Sequence, residues 1–155
     1  TAFVASRVIG LFEGSIEKIV ALAALMPIVA GIGGNSGNQT ITMIVRALAM
    51  GQMQVGQAKR LWQKEIGVSM INGLLWGCVM GIVSWLLYDN LQLGLVMVSA
   101  MTLNLMLAAT VGVLIPVTME KLGRDPALGS SVLITAVTDS GGFFIFLGLA
   151  SIFLM

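Results

Sequence analysis

Residues 91–119, LQLGLVMVSAMTLNLMLAATVGVLIPVTM, contain no Asp, Glu, Lys or Arg. A transmembrane helix needs about 20 mainly apolar residues, so this stretch is long enough to cross a bilayer. Residues 19–45 and 66–88 are also uncharged, and residues 126–155 carry one charged side chain, Asp139. Because lipid offers no hydrogen-bond partner to an open backbone, these runs predict four full transmembrane helices.

The composition is that of a membrane protein. Of the 155 residues, 57% are hydrophobic and 10% are charged, whereas about a quarter of the residues in a soluble domain are charged. Residues 1–12, TAFVASRVIGLF, have the character of the end of a preceding helix. We therefore expect an all-α membrane protein, a polytopic bundle of about five transmembrane helices with the first truncated. The expected helices of this single domain, 1–155, are 1–12, 14–45, 58–88, 91–119 and 126–155.

Two other functional classes are disfavoured by the composition. The chain has no His and a single Cys, Cys78, and no nucleophile–base pair is visible, so it is not predicted to be an enzyme. A net charge of +1 gives no indication of a nucleic acid partner.

The basic residues are distributed unevenly between the two sides of the predicted bundle. Positive residues accumulate on the cytoplasmic side of membrane proteins. The turn at Asp89 carries none, and residues 13–18 carry only Lys18. Segments 46–65 and 120–126 hold Arg46, Lys59, Arg60, Lys64, Lys121 and Arg124. These segments are therefore predicted to face the cytoplasm of a multi-pass protein of the cell membrane, with the C-terminus outside.

Asp139 is the one acid of the last predicted helix. Ser131, Thr135 and Gly142 share a face with it at helical spacing, and it lies roughly 16 Å beyond Leu128, near mid-depth. An ionised acid in that position costs about 2.5 kcal/mol or more. Three explanations are open: a protonated carboxyl bonded to a neighbouring helix, a proton relay, or a cation site on a water-filled pathway. The cation site is favoured.

The second predicted helix contains a segment that suits such a cation, MPIVAGIGGNSGNQT at 26–40. Pro27 lacks an amide donor and is expected to weaken the helix around Ala23. Glycines then permit unusual backbone angles, and the freed carbonyls would suit a hard cation or its water shell. The segment also supplies three amide side chains, Asn35, Asn38 and Gln39. The alternative is close packing, with Gly33 and Gly37 as a pair of small residues.

Other features predict helix packing and helix ends. Small residues four apart build a flat face for close helix contact, and the third predicted helix has three such glycines, Gly73, Gly77 and Gly81. Asn72 and Asn104, isolated in apolar helices, are predicted to form hydrogen bonds between helices. Asp125 and Pro126 have the character of an N-cap and a first helical residue, and an additional ion-binding role for Asp125 is left open.

Four segments together resemble the transmembrane domain of the MgtE magnesium channels, and the resemblance covers essentially the whole chain. They are MPIVAGIGGNSGNQT (26–40), VRALAMG (45–51), LIPVTMEKLGRDPALGSS (114–131) and TDSGGFFIFLGLA (138–150). Two motifs are the most specific. The first is the glycine–amide core, Gly33, Gly34, Asn35, Gly37 and Gln39, and the second is an acid followed by two glycines, Asp139, Gly141 and Gly142.

This resemblance implies five transmembrane helices per chain, a homodimer in the lipid bilayer, and a pore at the dimer interface lined by helices two and five. It implies that Asp139 attracts Mg²⁺ in the pore and that Asp125 belongs to a magnesium site on the cytoplasmic side. The other expected pore-lining residues are Gly34, Asn35, Asn38, Gln39, Ser131, Thr135 and Gly142. Some family members have an Asn on the pore face of helix five where this chain has Ser131. Cytoplasmic regulatory domains that sense magnesium are expected in the full-length chain.

Physics and resemblance lead to one expected mechanism. The chain is expected to conduct hydrated Mg²⁺ through a channel, with the waters of the ion held by two copies of Asp139 across a two-fold axis. The alternatives are a proton- or sodium-coupled divalent cation carrier and a non-transporting membrane scaffold.

The distribution of basic residues generates a test of orientation. In a Cys78→Ser background, we expect Asp89→Cys to react with an impermeant thiol reagent added to intact cells. Lys121→Cys should react only after the cells are permeabilised, because its segment is predicted to be cytoplasmic. Labelling of position 89 only from inside would reverse the orientation.

Overall fold

The computed structural model describes the backbone of residues 1–155 and every side chain except those of Lys18 and Val55. It is built of helices, with no strand in residues 1–155. In chain order the α-helices are α1 (Ala2–Leu11), α2 (Glu13–Lys18), α3 (Ala21–Ala49), α4 (Ala58–Tyr88), α5 (Leu91–Lys121) and α6 (Ser130–Phe153), and a short 3₁₀ turn at Val55–Gln57 precedes α4. The predicted all-α membrane bundle is confirmed.

Within the part of the chain that the structure describes, α4, α5 and α6 are long and apolar enough to cross a membrane. α3 is also long enough, at 29 residues, but its glycines and amides make it less apolar than those three. Three of the four predicted spans therefore meet the requirement on length and composition. A membrane crossing by α3 stays a prediction.

The predicted single helix over 14–45 is wrong, because the chain is interrupted between α2 and α3. Ile19 leaves the helical region, with φ −132° and ψ 88°, and it is followed by a second β-branched residue, Val20, of the type that weakens helices. The expected weakening around Ala23 does not interrupt the helix, since α3 continues through Pro27 to Ala49. Pro27 is the seventh residue of α3, and it leaves the Ala23 carbonyl without its usual amide donor.

The predicted start of the last helix at Pro126 is wrong as well. α6 begins at Ser130, after Gly129, whose φ of +77° favours glycine. Asp125 does not cap α6, because its Oδ1 accepts a hydrogen bond from the Ala127 amide at 2.9 Å and so closes a local turn. The Ser130 hydroxyl donates to the Pro126 carbonyl, which ties this turn to the helix.

α5 extends past its predicted end at residue 119 because a glycine closes it at a later point. Gly123 has φ +68°, its amide donates to the Glu120 carbonyl at 3.0 Å, and the Arg124 amide donates to the Met119 carbonyl at 2.9 Å. This pair of hydrogen bonds is a Schellman motif, which satisfies carbonyls at the end of a helix. α5 therefore ends at Lys121.

α5 is the central helix of the bundle. The main apolar core is formed where α3, α5 and α6 meet, and it includes the fully buried side chains Leu22, Val29, Met97, Met101 and Phe146. α4 packs on another side of α5 and buries only small residues, which are Ser69, Gly73, Gly77, Gly81 and Ser84. Most of the remaining surface of α4 is apolar and exposed.

The contact between α4 and α5 depends on backbones that approach closely. A Cβ added at Gly73 would lie 2.6 Å from the Thr102 Cα, and one added at Gly81 would lie 2.8 Å from the Gly94 carbonyl oxygen. Two side-chain hydrogen bonds lie nearer the N-terminal end of α4. The Trp62 indole donates to the Thr110 hydroxyl at 3.1 Å, and the hydroxyl of Thr40 on α3 donates to Glu65 Oε2 at 3.3 Å.

This packing generates a paired test on one helix. Gly73→Ala should lower stability by about 1–3 kcal/mol, because its Cβ meets the α5 backbone and the helices must separate. Gly67→Ala is the control, since an added Cβ there meets nothing within 4 Å and alanine is the better helix former. Thermal unfolding of both variants in detergent measures the difference. Equal stability of the two variants would contradict the close packing of α4 on α5.

Candidate functional site

α3 and α6 lie side by side and run in opposite directions. A Cβ added at Gly34 would lie 3.5 Å from the Thr138 hydroxyl, and one added at Gly37 would lie 2.5 Å from Ile134 Cδ1. The glycine- and amide-rich segment of α3 therefore runs along the half of α6 that contains Asp139. The structure brings these two polar segments together, as the expected lining by helices two and five requires.

A hydrogen-bonded pair joins the two segments at one end. The Ser131 hydroxyl donates to Asn38 Oδ1 at 2.7 Å, and Asn38 Nδ2 donates to the Gly34 carbonyl at 3.0 Å. The Thr135 hydroxyl, one turn further along α6, donates to the Ser131 carbonyl at 2.8 Å. The Ser131 and Thr135 hydroxyl oxygens keep their lone pairs, because donation does not occupy an acceptor site. Asn38 Oδ1 accepts one hydrogen bond and keeps a second lone pair. These oxygens can accept hydrogen bonds from waters around a cation.

The outer edge of this pair of helices is open and polar. Asn35, Gln39 and Ser131 are exposed, and Thr135 and Asp139 are half-buried. Among the described residues, no side chain forms a hydrogen bond with Asn35, Gln39 or Asp139. The antiparallel pairing places Asn35 of α3 near the level of Thr135 and Asp139. One amide, one hydroxyl and one carboxyl group are thus available to a ligand outside the protomer.

Two residues expected on this face are buried instead. Gly34 packs on Thr138, and a Cβ added at Gly142 would lie 2.7 Å from Asn104 Nδ2. The helical wheel placed Gly142 with Ser131, but a wheel drawn for one helix does not show which part α5 covers. Gly33 and Gly37 also lie against neighbouring helices, at Asn104 and Ile134. Close packing therefore describes Gly33, Gly34 and Gly37, whereas Gly31 is exposed. The expected broken backbone in this segment is wrong, because α3 is continuous.

Asp125 lies apart from Asp139. It is exposed on the connection between α5 and α6, while Asp139 follows the start of α6 by nine helical steps, about 14 Å of rise. Among the described side chains, no three of Asp, Glu, Cys or His lie together as a group that could hold a metal ion. If both acids bind a cation, they therefore do so at separate positions.

A cleft beside the Asn38–Ser131 pair opens the site toward the ends of the helices. Its volume is about 420 Å³, and its lining includes Thr42 and Arg46 of α3 together with Ala127. Arg46 is exposed at the last turn of α3. Its positive charge therefore lies at the wall of this cleft, on the far side of Thr42 from the Asn38–Ser131 pair.

The isolated asparagines of the apolar helices differ in their surroundings. Asn104 is fully buried, and its Nδ2 donates to the Val29 carbonyl at 2.8 Å, so the predicted interhelical hydrogen bond is confirmed. Asn72 is exposed on α4, and no described residue of the protomer bonds its side chain. Sequence reasoning missed the contact of Glu65 with Thr40. The only feature of the sequence that could have indicated this contact is that Glu65 is the last charged residue before the uncharged run 66–88.

Comparison with known proteins gives a consistent result. Residues 26–149 match the model of a family described as MgtE, divalent cation transporter. The chain is 33% identical over 151 residues to the magnesium transporter MgtE of Bacillus subtilis and 36% identical over 156 residues to that of Thermus thermophilus. These alignments cover 97% and 99% of this chain and 34% of each relative. The similar protein of Enterococcus faecalis is 33% identical over 149 residues, which are 96% of this chain and 33% of that relative. The chain thus spans about a third of the length of these relatives.

Proposed function

Because the chain belongs to the MgtE family of divalent cation transporters, we propose that it forms the pore of a magnesium channel. Hydrated Mg²⁺ passes between two copies of the chain, along the polar edge of α3 and α6. The family is one of transporters rather than enzymes, and α4, α5 and α6 fit a multi-pass membrane protein. The C-terminus is proposed to lie outside the cell, as the distribution of basic residues predicts.

One observation supports the shared pore, which is that the exposed surface differs in polarity around the bundle. On α4, Ile71, Leu86 and Leu87 are 65–71% exposed, and such side chains suit lipid. On α3 and α6 the exposed edge instead holds Asn35, Gln39, Ser131 and half-buried Asp139. In a single protomer, the side chains of Asn35, Gln39 and Asp139 would face lipid without hydrogen-bond partners, which is unfavourable. A second copy with the same edge would enclose it and leave room for water.

The chemistry of the edge suits a hydrated divalent cation. A two-fold axis would bring two Asp139 carboxylates toward each other, and like charges in a confined site repel unless a cation lies between them. Mg²⁺ gives up its waters reluctantly and is usually held by one or two carboxylates with several waters retained. The oxygens of Asn35 and Thr135 would accept hydrogen bonds from those waters. Contacts through water keep binding weak enough for the ion to leave, as conduction requires.

The remaining length of the relatives leaves room for regulation. In the whole protein we propose cytoplasmic domains that sense magnesium and act on the pore from the side of the 50–57 and 122–129 connections. Asp125, exposed on the second of these connections, is placed to bind Mg²⁺ between such domains and the pore.

The carboxylate generates the main test, Mg²⁺ uptake by proteoliposomes that contain equal amounts of folded protein. Asp139→Asn and Asp139→Ala should each lower uptake at least about tenfold, the equivalent of about 1.4 kcal/mol of lost stabilisation. Asp139→Glu should retain part of the activity, because the charge is kept but displaced. A protonated Asp139 would be mimicked by Asn, which can also donate a hydrogen bond. Full uptake by Asp139→Asn would therefore contradict the cation site.

Two further measurements on the same proteoliposomes separate the alternatives. The native mass in nanodiscs should be that of a dimer for the parent chain and for all three variants, and a fully active monomer would contradict the shared pore. Uptake should not depend on an imposed pH or sodium gradient, since such a dependence would indicate a coupled carrier. No uptake of any divalent ion by the parent chain would leave the scaffold alternative.

The exposed amide of α3 generates a second test with a matched control. Asn35→Leu should lower Mg²⁺ uptake several-fold, about 1 kcal/mol for one lost water-mediated hydrogen bond, without loss of the dimer. Asn72→Leu makes the same change at an exposed position of α4 that lies away from the proposed pore, and it should leave uptake unchanged. Equal uptake by the two variants would show that Asn35 does not line the pathway.

A further inference from the structure

The amide of Asn104 is an unusual feature of the bundle core. Its side chain belongs to the central helix, has 0% exposure, and donates a hydrogen bond to the Val29 carbonyl of α3 at 2.8 Å. Its Oδ1 is buried without a partner among the described residues. A leucine has the same branched shape, although it is larger, and it would leave no polar atom unsatisfied. Packing alone therefore does not account for an amide at this position.

Two glycines from different helices form the slot that holds this amide. A Cβ added at Gly142 of α6 would lie 2.7 Å from Asn104 Nδ2 and 3.1 Å from its Cγ. A Cβ added at Gly33 of α3 would overlap Nδ2 and lie 2.8 Å from Cγ. The amide can therefore enter only because both positions lack a side chain. One side chain of α5 thus contacts both helices that carry the polar edge.

The slot lies directly behind the acid of the proposed pore. Gly33 precedes Gly34, which packs on Thr138, the residue before Asp139. Gly142 follows Asp139 by less than one helical turn. The amide is therefore at the depth of Asp139 but on the side of α6 that faces the protein interior. Any shift of α3 or α6 along its axis at this level must break the hydrogen bond to Val29 or force a backbone onto the amide.

We propose that Asn104 is a positioning residue that fixes the relative depth of α3 and α6, and so the geometry with which Asp139 and Asn35 face the ion. This inference rests on the proposed function, since it concerns the ion site of the same pore. The hydrogen bond sets the position of α3, and the fit against Gly142 sets the position of α6. Asn104 itself does not touch the ion.

The test compares variants that separate the hydrogen bond from the packing. Asn104→Leu keeps the branched shape of the side chain, with a somewhat larger volume, and removes the amide. Asn104→Ala leaves a cavity, and the double variant Asn104→Ala with Gly33→Ala places a methyl group where the amide was. We measure the Mg²⁺ concentration for half-maximal uptake, the ratio of Mg²⁺ to Ca²⁺ uptake, the melting temperature and the native mass of each variant in proteoliposomes or nanodiscs.

If Asn104 positions the site, Asn104→Leu stays a folded dimer but needs roughly tenfold more Mg²⁺ for half-maximal uptake, the size of effect that loss of a supporting contact has at metal sites. Its ratio of Mg²⁺ to Ca²⁺ uptake falls as well. The double variant recovers the melting temperature lost in Asn104→Ala but not the Mg²⁺ dependence. A half-maximal concentration and ion ratio that match the parent in Asn104→Leu, or that recover in the double variant, would overturn the proposal.

A second readout keeps this inference separate from the proposed function. In a Cys78→Ser background, the rate at which Asp139→Cys reacts with a thiol reagent reports the exposure of position 139 whether or not ions are transported. Adding Asn104→Leu should change that rate several-fold, and an unchanged rate would overturn the positioning role. Absence of Mg²⁺ uptake by the parent chain would overturn the proposed function, and the labelling rate alone would then decide whether Asn104 sets the exposure of position 139.

Discussion

Lipid supplies no hydrogen bonds, and this constraint explains where most polar groups of the bundle are placed. Most hydroxyls in the helices donate to a carbonyl one turn back, as Thr102 does to Val98 at 2.8 Å and Ser84 does to Met80 at 2.7 Å. Such bonds let Ser and Thr lie in a membrane helix without a partner from another helix. An amide or a carboxylate has more hydrogen-bonding sites than one carbonyl of its own helix can satisfy. Asn104 therefore turns inward to a backbone carbonyl, while Asn35, Gln39 and Asp139 are left on an edge that needs water, an ion or a second chain.

The helices whose ends could be predicted are those whose ends are set by local chemistry. The bounds predicted for the third helix, 58–88, are those of α4, because the uncharged run stops at Asp89, which adopts the left-handed conformation with φ 49°. The start of α6 was missed because Asp125, a typical N-cap residue, is used in a separate turn. The break before α3 was missed because it falls at Ile19 and not at Pro27. Asp125 lies five residues before α6 begins at Ser130, and Pro27 remains within a continuous helix.

The sequence could predict which residue types form the candidate site, but not which of those residues face outward from the bundle. The sequence identified Asp139 and the amides of α3, because polar residues are conspicuous in apolar runs. The packing of α5 decides which residues of those helices face outward. The sequence of α5 contains no pattern that predicts its central position. The burial of Gly142 and the contact between Asn38 and Ser131 therefore became visible only in the assembled bundle. The same holds for Asn104, whose two glycine neighbours lie far from it in sequence.

The arrangement also limits which motions could open the proposed pore. α3 and α6 are joined to each other by Asn38 and Ser131 and to α5 by Asn104, so within one protomer they form a single packed unit. Sliding one of these helices past the other would break both contacts. In the proposed pore, a gate that keeps both contacts would therefore move the two copies of the chain relative to each other, or would change the 122–129 connection, where Gly123 and Gly129 have positive φ. Either motion would leave the hydrogen bonds of Asn38 and Asn104 in place.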